Sequence, residues 1–470
     1  MGDSSESELS KKMARKVASG TPSFSVPGLL FENGTPFSAA QFDMIDQHDA
    51  PFHVFVAKIG FTIGACDHDG WASLKTLETP VELNTEDRHY DDDPGASILE
   101  ESDFAPFKPR CDVIVNAVAY APKGQTAKTL AARLRVEQAI SETKNLPPYI
   151  NKSLTISGER WYIKKSAMVR LVCWPFKIVT LGLLRPNPWR LSAPQAVDTL
   201  PLRYEYAAGG QCRIDSNDEA AKRLPAKQRP GTPAATNERL APVAVAHEAC
   251  ETNPLGRGYV RNWFLKAGRQ KRIAAPLVTV EEIPCTARDF FNGANGKPLP
   301  APAGLGAIGR AWQPRRSFIG QIENKPNWGD DEIPRLPVDF DFSYWNCAPQ
   351  DQQCDYLNGQ ERFVLMNLCS PDNPATQQDK RGNTILRFAL PRQSVFILAA
   401  SRSEELTVLP LSLDTVIITP ETSRVDLVWR ASLSADGTNE ASRLMHITEA
   451  EQIARLDQLV RHQWSNPDAE

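Results

Sequence analysis

The chain has 470 residues, room for two to four domains of roughly 100 to 200 residues each, any of which could bury a core. Hydrophobic residues make up 41% and charged residues 23%, an ordinary globular balance, and the net charge of −4 argues against a mainly electrostatic nucleic-acid binder. The 37 prolines exceed an average share of about 5% and limit long helices, so a β-rich, loop-rich protein is expected.

The start, MGDSSESELSKKMARK, is charged and has no apolar run behind it. No stretch of ~18 apolar residues follows anywhere, so a cytoplasmic protein without a membrane partner is expected. Residues 1–20 hold few large apolar groups and are expected to be disordered. An N-terminal β domain is expected over 21–210. Within it Phe52 to Ile63 is apolar at both parities, as in a strand buried on both faces. Thr85 to Pro94 is an acidic loop. The passage Glu101 to Tyr120 then turns abruptly from a bend punctuated by Pro106 and Pro109 to a Val- and Ile-rich strand that stops at Pro122-Lys123-Gly124. Phe104 and Phe107 read as anchors pinning that bend to a core. Leu130 to Val136 and Leu154 to Trp161 read as paired strands, and Val169 to Leu184, interrupted by Pro175, as a strand pair.

Residues 211–335 read as an insertion and connecting region rich in Pro, Ala and Gly. A second β domain is expected over 336–435. There Arg362 to Leu368, Thr384 to Leu390, Val395 to Ala399, Leu406 to Leu411, Thr415 to Thr419 and Arg424 to Trp429 arrive at short, regular spacing. Within 436–470, Thr448 to Glu451 has the form of a capping box. Ile453, Leu456, Leu459 and Val460 follow at helical spacing, so an amphipathic C-terminal helix is expected, docked on its own domain or on a partner. The fold class is mainly β: two antiparallel β-sandwich or barrel-like domains with proline-rich loops and that helix.

No complete catalytic or cofactor motif occurs. Gly304 to Gly309 matches G-x-G-x-x-G, but prolines precede it where a dinucleotide site needs a strand, and a loop pressed against a core is the better reading. His247-Glu248-Ala249-Cys250-Glu251 lacks the second His that would place two imidazoles on zinc, and reads as a solvated loop. His53, His68 and His89 near Asp91, Asp92 and Asp93 could form a metal or acid–base cluster; a solvated loop competes. Arg257 to Arg272 interleaves basic and aromatic residues, which suits a solvated face or an acidic patch on a protein partner. The nine cysteines show no C-x-x-C and read as reduced, mostly buried thiols. The island Ala348 to Gln353 beside Phe342, Tyr344 and Trp345 combines anchor area with amide groups, as interface hot spots do. Alternatively, Asp351, Gln352 and Gln353 satisfy backbone groups of an internal loop.

Several islands together resemble the family catalogued as domain of unknown function number 2169. They are ESDFAPFKPR with AYAPKG (Glu101 to Gly124), PLRYEYAAGG (Pro201 to Gly210), NPLGRGY (Asn253 to Tyr259), PAGLGAIGRAWQPR (Pro302 to Arg315), LPVDFDFSYWNCAPQDQQ (Leu336 to Gln353) and LDTVIITPETSRVDLVWR (Leu413 to Arg430). Tyr206 and Ala208 stand where the family pattern has Arg and Phe. The resemblance implies a cytoplasmic adaptor or chaperone that binds a type VI secretion effector and helps load it onto the VgrG spike or a PAAR tip protein. Such a protein works by binding, without catalysis, metal or cofactor. Arg310, Trp312 and Arg315, which close the fourth island, join Phe342, Tyr344, Trp345, Asp351, Gln352 and Gln353 as candidate contacts. The alternatives are a hydrolase acting on carbohydrate or peptide through residues 86–93, and a carbohydrate-binding sandwich using some of the ten tryptophans.

Overall fold

The computed structural model describes residues 29–48, 50–138, 147–166, 187–224, 243–320, 336–401, 406–435 and 439–465. The expectations for residues 1–20 and for Val169 to Leu184 lie outside these. The spine of the molecule is the strand Pro51–Cys66, in which every residue from His53 to Phe61 is buried, as its apolar residues at both parities require, with Lys58 carried in among them. Along one edge it pairs with Arg424–Ser434 over the whole register from Thr62↔Arg424 to Phe52↔Ser434. Its other edge takes Ser38–Ile45 and Ala72–Thr76.

These strands belong to a mainly β, 13-stranded sheet curled into a half-barrel. From edge to edge its path runs Val278–Val280, Ile150–Ser157, Thr129–Glu137, Arg362–Met366, Thr384–Ala389, Ala72–Thr76, Pro51–Cys66, Arg424–Ser434, Ser412–Thr419, Cys111–Val115 and Gln353–Cys354. Strands from 21–210 and from 336–435 therefore alternate within one sheet. A second sheet of four strands, Leu30–Asn33, Asn439–Ile447, Ser394–Ser401 and Leu406–Pro410, faces it. Val395, Ile397, Ala399 and Leu444 of that sheet share a core with Phe55, Ile59, Val113, Leu134, Phe363 and Leu427. Phe363 and Phe388 stack in this core at 5.1 Å between ring centres.

The strands expected between 362 and 429 all form, with ends shifted by a few residues. The apolar run Cys111 to Tyr120 divides into Cys111–Val115 and Val118–Tyr120, which pair in different sheets. Residues 211–335, expected as a connecting region, contribute Gln211–Asp215, Ala244–Ala249 and the helices Asn262–Gly268 and Ala287–Ala294. With Trp161–Lys164 and Trp189–Leu191 they enclose a smaller core of Tyr162, Trp189, Cys212, Tyr259 and Phe290, where Tyr162 stacks on Phe290 at 4.2 Å. This lobe is tied to the rest by a backbone crossing of two glycine-rich islands. Ala208 and Gly209 pair in parallel with Arg257 and Gly258, and a side chain on Gly256 would lie 2.8 Å from the Gly209 Cα and 2.7 Å from the Ala207 carbonyl. Gly209, at φ +150°, also lies outside the range that other residues adopt easily.

The C-terminal helix is Ala450–Ser465, and Ile453 and Leu456 bury its apolar face against its own domain, near Leu406–Pro410. A strand missed in the sequence, Asn439–Ile447, precedes it. That strand lies between Leu30–Asn33 and Ser394–Ser401 and pairs with both. Cutting the chain after Ile447 should leave both sheets folded, with a melting temperature only a few degrees lower, because no strand is removed and Ile453 and Leu456 are the buried side chains lost among the described ones. Cutting after Ala435 should leave an insoluble or non-cooperatively melting protein, because it removes an internal strand. Circular dichroism melts of the two truncations check this.

Candidate functional site

The bend that enters the strand Cys111–Val115 carries charge into the interior. Glu100, Glu101, Asp103, Lys108 and Asp112 are all buried, and each meets a partner supplied by a distant part of the chain. Lys58, fully buried on the spine strand, donates to Asp103 Oδ2 at 3.0 Å and lies 3.6 Å from Glu100 Oε2. Arg430 pairs with Asp414 and donates to the Asp103 carbonyl at 2.7 Å. Lys108 Nζ donates to Asp112 Oδ2 and to Thr415 Oγ1, both at 2.9 Å. Burial works most strongly on the Lys108 ammonium, against it, but its neighbours, Asp112 foremost with Cys347 and Asp414, together outweigh burial and hold the pKa above the usual lysine value. Asp112 in turn accepts from the backbone N–H groups of Cys347 at 2.9 Å and Ala348 at 3.2 Å, and from Asn346 Nδ2 at 3.1 Å. The turn that follows the aromatic residues is thereby fixed to the sheet by a charge-assisted network.

A second arm of the network supports the aromatic residues directly. Arg315, itself buried, grips both carboxylate oxygens of Glu101 and donates through Nε to the Tyr344 carbonyl at 2.9 Å. Arg310 bonds Asp87 at 2.8 Å and approaches Glu101 at 3.6 Å. Above these cations the turn Phe342–Trp345 presents a chain of ring contacts. Phe107 meets Phe342 at 5.8 Å, Phe342 meets Phe340 at 5.3 Å, Phe340 meets Tyr344 at 5.8 Å and Tyr344 meets Trp345 at 5.3 Å. The Arg315 guanidinium lies 5.6 Å from the Tyr344 ring centre and that of Arg310 5.5 Å from the Trp345 ring centre, within cation–π range. Phe107 is 40% exposed, while Phe342, Tyr344 and Trp345 are half-buried. The indole Nε1 of Trp345 is buried and has no acceptor among the described residues, while its ring packs on Tyr344 and Arg310.

A family model described as "Uncharacterized protein conserved in bacteria (DUF2169)" matches residues 48–430. The chain belongs to this family. Searches of the curated proteins and of the solved structures return no match. Stretches singled out in the sequence meet in space: the Glu101–Arg110 bend, the Gly304–Gly309 loop, Arg315 and the Leu336–Gln353 stretch form one assembly. Leu305 is buried and its carbonyl accepts from Val115 N and Gln352 Nε2, both at 2.9 Å. A side chain on Gly304 would lie 2.7 Å from the Tyr204 ring, and one on Gly309 would lie 2.9 Å from the Trp312 indole. The first and last glycines of the G-x-G-x-x-G match therefore make room for aromatic rings of the protein itself. Tyr206 receives the Arg257 guanidinium 4.9 Å from its ring centre.

Among the residues singled out in the sequence, Phe342, Tyr344, Trp345, Arg310 and Arg315 are brought together. Trp312 is buried beside Tyr204, its ring 5.4 Å away. Gln352 is fully buried; its amide donates to the carbonyls of Val113 at 2.8 Å and Leu305, and its oxygen accepts from Lys152 at 2.8 Å. Asp351 pairs with Lys152 at 2.7 Å, and Gln353 donates to the Ala348 carbonyl at 2.8 Å. The amides thus hold backbone groups of an internal loop. Phe107, expected inside as an anchor, instead lies on the surface beside Phe342, whereas Phe104 packs on Phe42 at 5.3 Å. Phe340 was missed in the sequence, where nothing separates it from other apolar loop residues.

The other constellations are taken up by structure. His53 bonds Asp43 at 2.7 Å, His89 bonds the Ala96 carbonyl at 2.8 Å, and His68 sits on an exposed turn beside Asp69. No group of three His, Cys, Asp or Glu among the described residues is placed to hold a metal. Asp91 pairs with Arg203, whose guanidinium covers the Tyr90 ring at 4.3 Å; burial pushes the Tyr90 phenol up to about 12. His247 to Ala249, expected in a solvated loop, lie on a strand. There Glu248 accepts from Arg261 at 2.5 Å, Tyr259 at 2.8 Å and Trp263 at 3.1 Å. The basic, aromatic stretch that begins at Arg257 is thus largely committed to the smaller lobe.

Removing one member of the buried Glu101–Arg315 pair strands the other. Glu101→Gln or Arg315→Met should each cost about 3 to 5 kcal/mol in urea unfolding. The double variant Glu101→Gln/Arg315→Met should cost less than the sum of the two single losses, giving a favourable coupling in the double-mutant cycle.

Proposed function

We propose that this protein is a binding adaptor that engages a type VI secretion effector and assists its loading onto the VgrG spike, with a PAAR tip protein as a further partner. In this reading it acts in the cytoplasm and by contact, not by catalysis. The observation that carries it is the surface arc Phe107, Phe342, Tyr344 and Trp345, laid over a rigid base of buried ion pairs. Large aromatic side chains that are already ordered lose little entropy on binding and bring much contact area, so they serve as interface anchors. Arg310, half-buried under Trp345, adds a donor-rich group of the kind enriched at such anchors. Arg315 supports the arc from within, while the buried Gln352 and Trp312 pack the loops behind it.

Trp345→Ala and Phe107→Ala should each keep the melting temperature within a few degrees of the parent, because neither side chain is fully buried. In a pull-down with a type VI effector that the parent protein retains, Trp345→Ala should lower affinity about thirtyfold, the equivalent of ~2 kcal/mol. Full recovery of the effector by the folded Trp345→Ala/Phe107→Ala double variant would remove the arc from the interface. A substantially lowered melting temperature would make these rings part of the fold instead.

A further inference from the structure

A second surface lies on another part of the large sheet. A groove of about 720 Å³ runs over the outward face of Thr129–Glu137, with Thr129, Ala131, Arg133 and Met366 on its floor. One wall is the stretch Pro122–Ala127 and the other is the turn Asp379–Asn383. The turn is preorganised. Asp379 Oδ1 accepts from the backbone N–H groups of Arg381 at 2.8 Å and Asn383 at 2.9 Å, and Oδ2 accepts from Asn383 Nδ2 at 2.9 Å. Asn367, buried, clamps the turn to the floor by donating to the Ala131 carbonyl at 2.8 Å and to Asn383 Oδ1 at 3.0 Å. The walls meet where Gly382 sits against Pro122; a side chain there would lie 3.2 Å from the Pro122 Cβ.

The charge of this groove is one-sided, in a protein whose net charge is −4. Among the described lining residues three cations, Arg133, Lys380 and Arg381, face one acid, Asp379, which its turn and the nearby Arg381 keep ionised; Lys380 and Arg381 are exposed at the apex and carry no ion pair within 4 Å among the described residues. Arg133 on the floor is held by Ser153 at 2.8 Å and lies 3.8 Å from Glu281. We infer that the groove binds an acidic peptide segment of a partner protein in extended conformation. The floor residues Thr129, Ala131 and Arg133 follow one strand at ~3.3 Å per residue, so a segment of about four residues spans them and reaches both cationic side chains with its carboxylates. The site shares no residue with the aromatic arc, so either surface can fail its test without the other.

The probe is a fluorescein-labelled decamer of glutamate, followed by fluorescence anisotropy against the full-length protein at low salt. Binding is expected, weakening as salt rises. Lys380→Glu/Arg381→Glu should reduce it about tenfold or more with an unchanged melting temperature, since two exposed charge contacts become repulsive. The control Lys266→Glu/Lys271→Glu, which reverses two exposed cations outside the groove, should leave binding unchanged. The inference is overturned if the decamer does not bind, if the groove variant binds as well as the parent, or if the control loses as much as the groove variant. It is also overturned if a single-stranded oligonucleotide of equal charge binds more tightly than the decamer, which would make the groove a nucleic-acid site.

Discussion

A charge taken out of water has to be met inside the protein, and the bend from Glu100 to Asp112 brings five of them in. Their partners come from Lys58, Arg315, Thr415 and the backbone of Cys347 and Ala348, while Arg430 reaches the Asp103 carbonyl. This requirement couples the first strands of the chain to the last. The curled sheet supplies the hydrophobic driving force. The ionic bend selects which loops pass over it, and in which register, because each misplaced partner would leave a buried charge unmatched.

The glycine-rich islands obey a related constraint of space. Gly209 and Gly256 allow two backbones to cross, and Gly304 and Gly309 allow a loop to lie against Tyr204 and Trp312. In both places the absence of a side chain serves packing. The cysteines behave as small interior groups too. Cys111 and Cys354 face one another across paired strands, and burial raises the Cys111 thiol well above its ordinary value. Cys347, beside Lys108 and Asp112, is raised in the same way, which suits packing and not reactivity.

The two surfaces differ in how they are held. The aromatic arc is a short turn that would collapse without the cations beneath it, so its order derives from the ionic bend. The basic groove rests on the hydrogen bonds of one turn and one asparagine, on a sheet that would exist without them. The two surfaces offer different physics to whatever they meet, apolar area at one and charge at the other.

Much of the architecture was written in local pattern. The strand Pro51–Cys66 and the series from Arg362 to Arg430 were legible because a strand buried on one face alternates and one buried on both does not, whatever its neighbours are. The C-terminal helix was legible from its apolar spacing, and the glycine loop was read as packing from its prolines. The strand Asn439–Ile447 was not, because NEASRLMHI holds few large apolar residues and becomes a strand through the two neighbours that pair with it. Sequence also placed Phe342, Tyr344 and Trp345 together by adjacency, but it could not separate Gln352, sealed inside, from Asp351, exposed one position earlier. Nor could it bring Phe107 to Phe342 or Arg315 to Glu101, which lie more than 200 residues apart in the chain. Composition and periodicity depend on a residue and its near neighbours, and these the sequence determined alone. Which charges are paired, which rings are exposed and which turn faces a groove depend on contacts between distant segments, and those only the tertiary structure decided.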